Sequence, residues 1–426
     1  MAGEKTERQE YSTLQAARAF AASVVVLYHV QVTMALPQYF GAGPFPLFMA
    51  GSTGVHLFFV LSGLVMVIAH WGQLGRRNNP ATFFWKRFRR IYPPLWAALT
   101  IVAVSLLILP IGAGPASLGT LLSAYLVAIP VRQEILLGVE WTLRHEILFY
   151  ALFAVFLWRP MIGGLLLGVW FLGSAVTVFV APGFPSDFIF SPYHLLFGLG
   201  LVTALAVKKD WLGRPAVATA CGAALFALGW WLVAFGGQKS GAPICILVFG
   251  LGSALLLAGS LALESLGRVR IPRSVVFLGD ASYAIYLIHF PVVTLLCKIG
   301  AKIGAPQVLW FITSVVLSTA AGVVFHLAVE KPLLRLVPSK WPRRAPADGA
   351  KDWFQPTVWP PVVQTLLTRI RDAGAPPRAS LHSPADPAAK PAPSPLGASA
   401  THLSQGAPAL ERVDGAEDAA VASKEA

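Results

Sequence analysis

Stretches of about twenty apolar residues recur along this sequence as far as residue 329, and they leave the backbone few options. A helix rises about 1.5 Å per residue, so about twenty residues match the roughly 30 Å hydrocarbon layer of a bilayer. No water is available there to satisfy peptide N–H and C=O groups, so a segment of that length must satisfy its own as a helix. The candidate spans are 14–36, 50–71, 93–111, 140–158, 161–181, 190–207, 214–235, 243–263, 275–298 and 305–329. They predict an all-α protein, a polytopic membrane bundle of about ten transmembrane helices. Only 12% of the 426 residues are charged, about half the share in a soluble domain. The opening MAGEKTERQE is polar and shows no secretory leader, so the first apolar segment is expected to stay as a span.

Charge placement sets the expected topology. The formal charge is +13, yet residues 342–426 hold nine basic and nine acidic residues, so the excess lies beside the spans. That pattern fits cytoplasmic anchors on membrane lipid and argues against nucleic acid as a partner. Four basic loops stand out: Arg76 to Arg90, Lys208 to Arg214, Arg268 to Arg273, and Lys331 to Arg344. All four fall on one side if there are ten spans with both termini cytoplasmic. An extra apolar stretch, 118–131, would break this pattern as an eleventh crossing. It is read as re-entrant or interfacial, with the alternative that it crosses and another pair does not. The domain division is then 1–341 in the membrane and 342–426 as a disordered, cytoplasmic, Pro/Ala-rich tail. Within the tail, Val358 to Arg371 has the spacing of a short surface helix. Cys221, Cys245 and Cys297 lack metal or disulfide spacing and are expected to be small buried packing residues.

Ionisable side chains inside spans are costly, which makes each a candidate for function. The first span carries Arg18 and His29. Eleven residues at about 100° each return almost to one face, roughly 16 Å apart along the axis, so the two share a stripe without touching. A snorkelling Arg and a His satisfied by a carbonyl is the structural alternative. In FFWKRFRRIYPPLW, Arg87 and Arg90 share a helical face and offer two guanidinium forks suited to phosphate; membrane anchoring is the plainer reading. In VEWTLRHEILFYALF, Glu146 shares a face with Tyr150, and Trp141 with His145. Glu146 either supports an imidazole or pairs with Arg144 without chemistry. Ser282, Tyr286 and His289 form a polar stripe that faces protein or water, or else glues helices together. His56 and Ser62 form a weaker one. No Gly-rich phosphate loop, HExxH, GxSxG or CxxC is present, and the histidines have no metal-ligand spacing.

Six stretches together resemble the membrane acyltransferase 3 family, and most closely its exopolysaccharide-production (ExoZ-like) O-acetyltransferases. They are LQAARAFAASVVVLYHV at 14–30, GVHLFFVLSG at 54–63, WKRFRRIYP at 85–93, VEWTLRHEILFY at 139–150, ASYAIYLIHFP at 281–291 and VEKP at 329–332. The resemblance implies transfer of an acyl group, usually acetyl, from acyl-CoA to a sugar hydroxyl in the bacterial inner membrane. Acyl-CoA is then a donor substrate and no cofactor is held permanently; the acceptor is a glycan or lipid-linked saccharide. The family's Arg-x10-His motif falls on Arg18 and His29, and its donor-associated Arg-x-x-Arg on Arg87 and Arg90. Its Trp-Ser-Leu…Glu motif falls on Trp141 and Glu146, with Thr142 in place of Ser. Family members commonly carry Asp where this chain has His56, so Glu146 becomes the carboxylate available to orient the catalytic His. The expected catalytic set is His29, Arg18 and Glu146, with His56, Ser62, Trp141, Tyr286 and His289 lining the substrate site. A transporter or flippase of a lipid-linked glycan is the rival from another class.

The topology has a direct test. Single cysteines replacing Ser186 and Gly237 should react with an impermeant maleimide from outside, and one replacing Asn78 should not. External labelling at Asn78 would overturn the orientation.

Overall fold

The computed structural model describes residues 11–74, 80–108, 118–127 and 137–338, the last three of 80–108 as backbone only. Among these residues every regular element is helical. The helices are α1 (Ser12–Met34), α2 (Gly54–His70), α3 (Pro80–Ile108), α4 (Leu118–Leu126) and α5 (Trp141–Trp158). Then come α6 (Pro160–Val176), α7 (Ser186–Ile189), α8 (His194–Lys208), α9 (Pro215–Ala234) and α10 (Pro243–Ser265). The last three are α11 (Arg273–Lys302), α12 (Gln307–Phe325) and α13 (Lys331–Leu336), with one π turn, His326–Glu330, joining the final pair. The segments 109–111 and 342–426, including the expected helix over 358–371, lie outside the described residues.

Seven segments are long and apolar enough to cross a membrane, each overlapping one of the ten predicted spans. The other three predicted spans are also helical. α3 opens on the cationic run Lys86–Arg90 before its apolar stretch, α5 carries Arg144, His145 and Glu146, and α6 has only 17 residues. α4, at nine residues, is about 13 Å long and too short to cross. Large apolar side chains stand exposed on the outer faces, among them Met161, Leu165, Leu172, Val217 and Leu309. Such a surface needs lipid as its solvent. Cys221 is also exposed, unlike buried Cys245 and Cys297. α9 buries only Gly222, Phe226 and Gly229, so Cys221, expected inside, points outward.

The third span was expected to begin at Pro93, with the arginines just outside it. Instead one helix runs through both prolines from residue 80 to 108. Each proline lacks the N–H that would bond four residues back, so the ladder is interrupted while the axis continues. The Arg87–Arg90 face is therefore rigidly joined to the apolar half of the same helix.

α1 is the central strut. Its free N-terminal amides at Ser12 and Thr13 donate to the two oxygens of Glu264, at the end of α10, at 2.8 and 3.1 Å. A carboxylate there also suits the helix dipole. α1 and α11 run in the same direction, because Gly279 meets Gln15, Arg18 meets Ser282 and His29 meets His289. Two spans that run parallel must be separated by an odd number of crossings. The seven predicted spans between them satisfy this; counting 118–131 as well would not.

α2 and α8 approach backbone to backbone. A Cβ on Gly63 would lie 2.1 Å from the Phe197 carbonyl oxygen, and one on Gly200 2.1 Å from that of Val60. Small residues at such crossings replace the missing hydrophobic drive in lipid with close packing. Gly63→Val or Gly200→Val should therefore push α2 from α8 and cost about 1–3 kcal/mol. The check is thermal melting in detergent, where each variant should melt below wild type and Gly213→Ala, in open space, should not.

Candidate functional site

The cationic run on α3 divides into two jobs. Arg89 donates from Nε to the Val337 carbonyl at 2.7 Å and also bonds Leu334 O, while Trp85 Nε1 donates to Pro338 O at 2.9 Å. These two residues cap the carbonyl end of α13 and anchor it. Arg87 and Arg90 face the other way, into a cavity bounded by α1, α2, α3, α5 and α11. The cavity holds roughly 860 Å³ of space, its open mouth included. Arg90 is exposed, while Arg87 and Arg18 are half-buried, so three guanidiniums line its walls from different depths. Arg87 lies over the rings of Phe83 and Tyr150, 5.6 and 5.2 Å from their centroids.

One carboxylate faces these cations. Glu146 on α5 accepts from Ser62 Oγ of α2 at 2.9 Å and from the Tyr150 hydroxyl, one turn along its own helix. Arg18 Nε donates to Ser282 Oγ of α11 at 3.1 Å. The Tyr286 hydroxyl lies 2.9 Å from Thr142 Oγ1 and reaches the Val139 carbonyl at 3.2 Å. Tyr283, which sequence reasoning missed, also lines the cavity and donates to Ile91 O on α3. Thr142, in the place of the family's Ser, thus faces the cavity. Arg144 does not pair with Glu146; it bonds Glu140 Oε1 and Ser123 Oγ, both at 2.9 Å, tying α5 to α4.

Further along α1 and α11 lies a histidine pair. His29 Nδ1 is 3.1 Å from His289 Nε2 and 3.0 Å from the Val25 carbonyl, and Phe290 lies edge-on to the His29 ring. The orienting role expected of Glu146 is not seen: its hydrogen bonds run to Ser62 and Tyr150, and the side chain beside His29 is His289. Of the residues expected to line the substrate site, Ser62 and Tyr286 border the arginine cavity. His56 instead bonds Ser240 O at 3.1 Å and packs on Tyr193 and Phe249. Trp141 also packs on Tyr193 and on His145. A second histidine pair, His145 Nδ1 to His194 Nε2 at 2.7 Å, lies between α5 and α8. His194 is fully buried and stacked on Trp170; its place in an apolar segment was the signal available for finding it. Among the described residues no three metal-ligating side chains cluster.

Residues 11–327 match the family model described as an acyltransferase domain. The chain is 34% identical over 303 residues to the exopolysaccharide production protein ExoZ of Rhizobium meliloti (strain 1021), covering 68% of this chain and 91% of that one. It is 26% identical over 386 residues to acyltransferase MdmB of Streptomyces mycarofaciens, covering 80% and 96%. It is 27% identical over 330 residues to nodulation protein 10 of Rhizobium leguminosarum bv. viciae, covering 68% and 84%. No solved structure matches the chain.

Three guanidiniums around one carboxylate leave the cavity a net cation, so it should bind a polyvalent anion. In isothermal titration with pyrophosphate, Arg87→Ala and Arg90→Ala should each lose about 1.5–3 kcal/mol of binding, roughly tenfold or more. Arg89→Ala, whose side chain caps α13, should bind as wild type. Equal weakening in all three would mean a diffuse basic surface and not a built site.

Proposed function

The chain belongs to the acyltransferase 3 family and is a membrane acyltransferase; we propose that it moves an acyl group, acetyl by preference, from acyl-CoA to a hydroxyl of a surface or exopolysaccharide sugar. The single observation that carries this reading is the disposition of the two polar clusters on α1. The arginine cavity at Arg18 and the histidine pair at His29 lie eleven residues apart on one helix, about 16 Å. That distance suits a donor with a phosphate-rich head and a thioester at the end of an extended pantetheine arm.

In this scheme Arg87 and Arg90 hold the donor's phosphates through planar, two-pronged contacts that lysine cannot reproduce. Arg18 adds a third positive group deeper in the cavity. Glu146, bonded to Ser62 and Tyr150, faces these cations from α5. The thioester reaches His29 along α1. Neutral His29 takes the proton of the incoming hydroxyl, the oxygen attacks the thioester carbon, and the carbon–sulfur bond breaks. The departing thiolate then recovers the proton from the imidazolium. The protein works in the bacterial inner membrane with both termini cytoplasmic, donor entering from the basic side and glycan from the other. The glycan reading also draws on the relative named for exopolysaccharide production.

The test is thiol release from acetyl-CoA by protein purified in lipid nanodiscs, with the cognate surface polysaccharide as acceptor. Wild type should release thiol only when glycan is present, and acetyl should appear on the glycan. His29→Gln can hydrogen-bond but cannot take a proton, so its turnover should fall by about 10²–10⁴-fold while acyl-CoA still binds. Retention of more than about a tenth of wild-type turnover is below the smallest effect expected of a base and would remove His29 from that role.

A further inference from the structure

The hydrogen bonds around His29 admit one assignment of protons. Two backbone carbonyls fix it, since a carbonyl oxygen can only accept. His289 Nδ1 lies 3.0 Å from the Ile285 carbonyl, so that nitrogen carries a proton and Nε2 of the neutral ring is an acceptor. His29 Nδ1 lies 3.0 Å from the Val25 carbonyl, so it too carries a proton. That single N–H also faces His289 Nε2 at 3.1 Å, so it is shared between the Val25 carbonyl and His289, with the donor on His29 and the acceptor on His289. The nitrogen left without a proton on His29 is Nε2, and among the described residues no group hydrogen-bonds it. Which nitrogen of an imidazole acts is set by the bond its other nitrogen makes, and here both carbonyls lie one turn back on their own helices.

We propose that His289 is a positioning residue for acyl transfer: together with the Val25 carbonyl it accepts the hydrogen bond of His29 Nδ1–H, which holds the ring with Nε2 as the atom that removes the proton from the acceptor hydroxyl. The proposal rests on the reading of His29 as the base. An acidic side chain usually stands behind a catalytic imidazole; in this protein a second, neutral imidazole stands there. The arrangement favours the transition state over the ground state. When Nε2 takes the hydroxyl proton, the ring becomes cationic and its Nδ1–H bond to His289 becomes charge-assisted, and therefore stronger. His289 is itself fully buried, so water does not compete for its Nε2. Ring packing adds restraint: His29 and His289 have centroids 5.0 Å apart, and Tyr286 lies 5.8 Å from His289. That places the dyad directly beside the residue whose hydroxyl borders the arginine cavity.

The test uses full-length protein in nanodiscs with acetyl-CoA and polysaccharide. His289→Leu removes the acceptor and should lower kcat by about 10- to 100-fold, the size of a lost hydrogen bond to a charged group, with the KM for acetyl-CoA unchanged. His289→Gln places an amide oxygen near the position of Nε2 and should retain most of kcat. ¹⁵N spectra of histidine-labelled protein, assigned by the signals that vanish in His29→Gln, should show His29 protonated at Nδ1 and bare at Nε2. Equal losses in the Leu and Gln variants, or a protonated Nε2 on His29, would overturn the proposal. An inactive His29→Gln beside a fully active His289→Leu would also overturn it, while leaving His29 as the base. An active His29→Gln would fell the base reading itself.

Discussion

Everything in the polar interior hangs on one requirement: a guanidinium in a membrane bundle needs a counter-charge or water within reach. Arg18, Arg87 and Arg90 come from two helices, and Glu146 from a third is the one carboxylate on the walls of their cavity. Taking a charge out of water costs several kcal/mol even after relaxation, and removing one partner of such a set leaves the others uncompensated. The cluster therefore favours the rotation that turns these faces of α1, α3 and α5 inward, where Glu146 meets the arginines. Ser62 and Tyr150 then occupy two of the sites on the carboxylate at which it can accept, so its orientation is set as well as its position.

Close backbone packing makes that arrangement possible. Ser62 reaches Glu146 from the residue beside Gly63, where α2 crosses α8 without a side chain between them. On the other flank Gly279 lets α11 lie against the first turns of α1, which brings Ser282 to Arg18. The glycines and the charges are thus linked terms. The small residues set the helix separations, and the separations decide which polar groups come within hydrogen-bond distance.

The spans were legible because each apolar run carries its own hydrogen bonds, so its length and composition suffice to identify it. The failures have local physical causes. The candidate span began at Pro93, while the helix that carries it begins at Pro80 and runs on through both prolines. The register of Arg18 with His29 was legible from eleven residues of one helix. Their partners were not, since Ser282 and His289 lie more than 250 residues away in the chain. The family pattern invited a carboxylate behind His29, and Glu146 was the available one. Which residues meet across helices depends on crossing angle and rotation, and an apolar helix encodes these only weakly when lipid and protein faces are similar in composition. His194 shows the same limit: its burial against Trp170 follows from how α8 is rotated, and α8 looks apolar on every side.

α1 is the element on which the chemistry converges, and its ends show why it can serve as a ruler. Glu264 holds its first amides, Gly279 holds its first turns against α11, and Gln31 in its last turn accepts from the Phe45 amide in the loop before α2. A helix restrained at both ends keeps a nearly constant rise, so Arg18 and His29 stay about 16 Å apart through any motion of the surrounding helices. In the proposed scheme, a donor anchored by its phosphates near one of these residues would be presented at a set depth to the other. The rings of Phe290, Tyr28 and His289 crowd His29; in the proposed scheme, acyl chains much longer than acetyl would have to pass them. Under that scheme the packing that orients the imidazole would also disfavour bulky acyl groups, because overfilling a well-packed core costs about 1–3 kcal/mol.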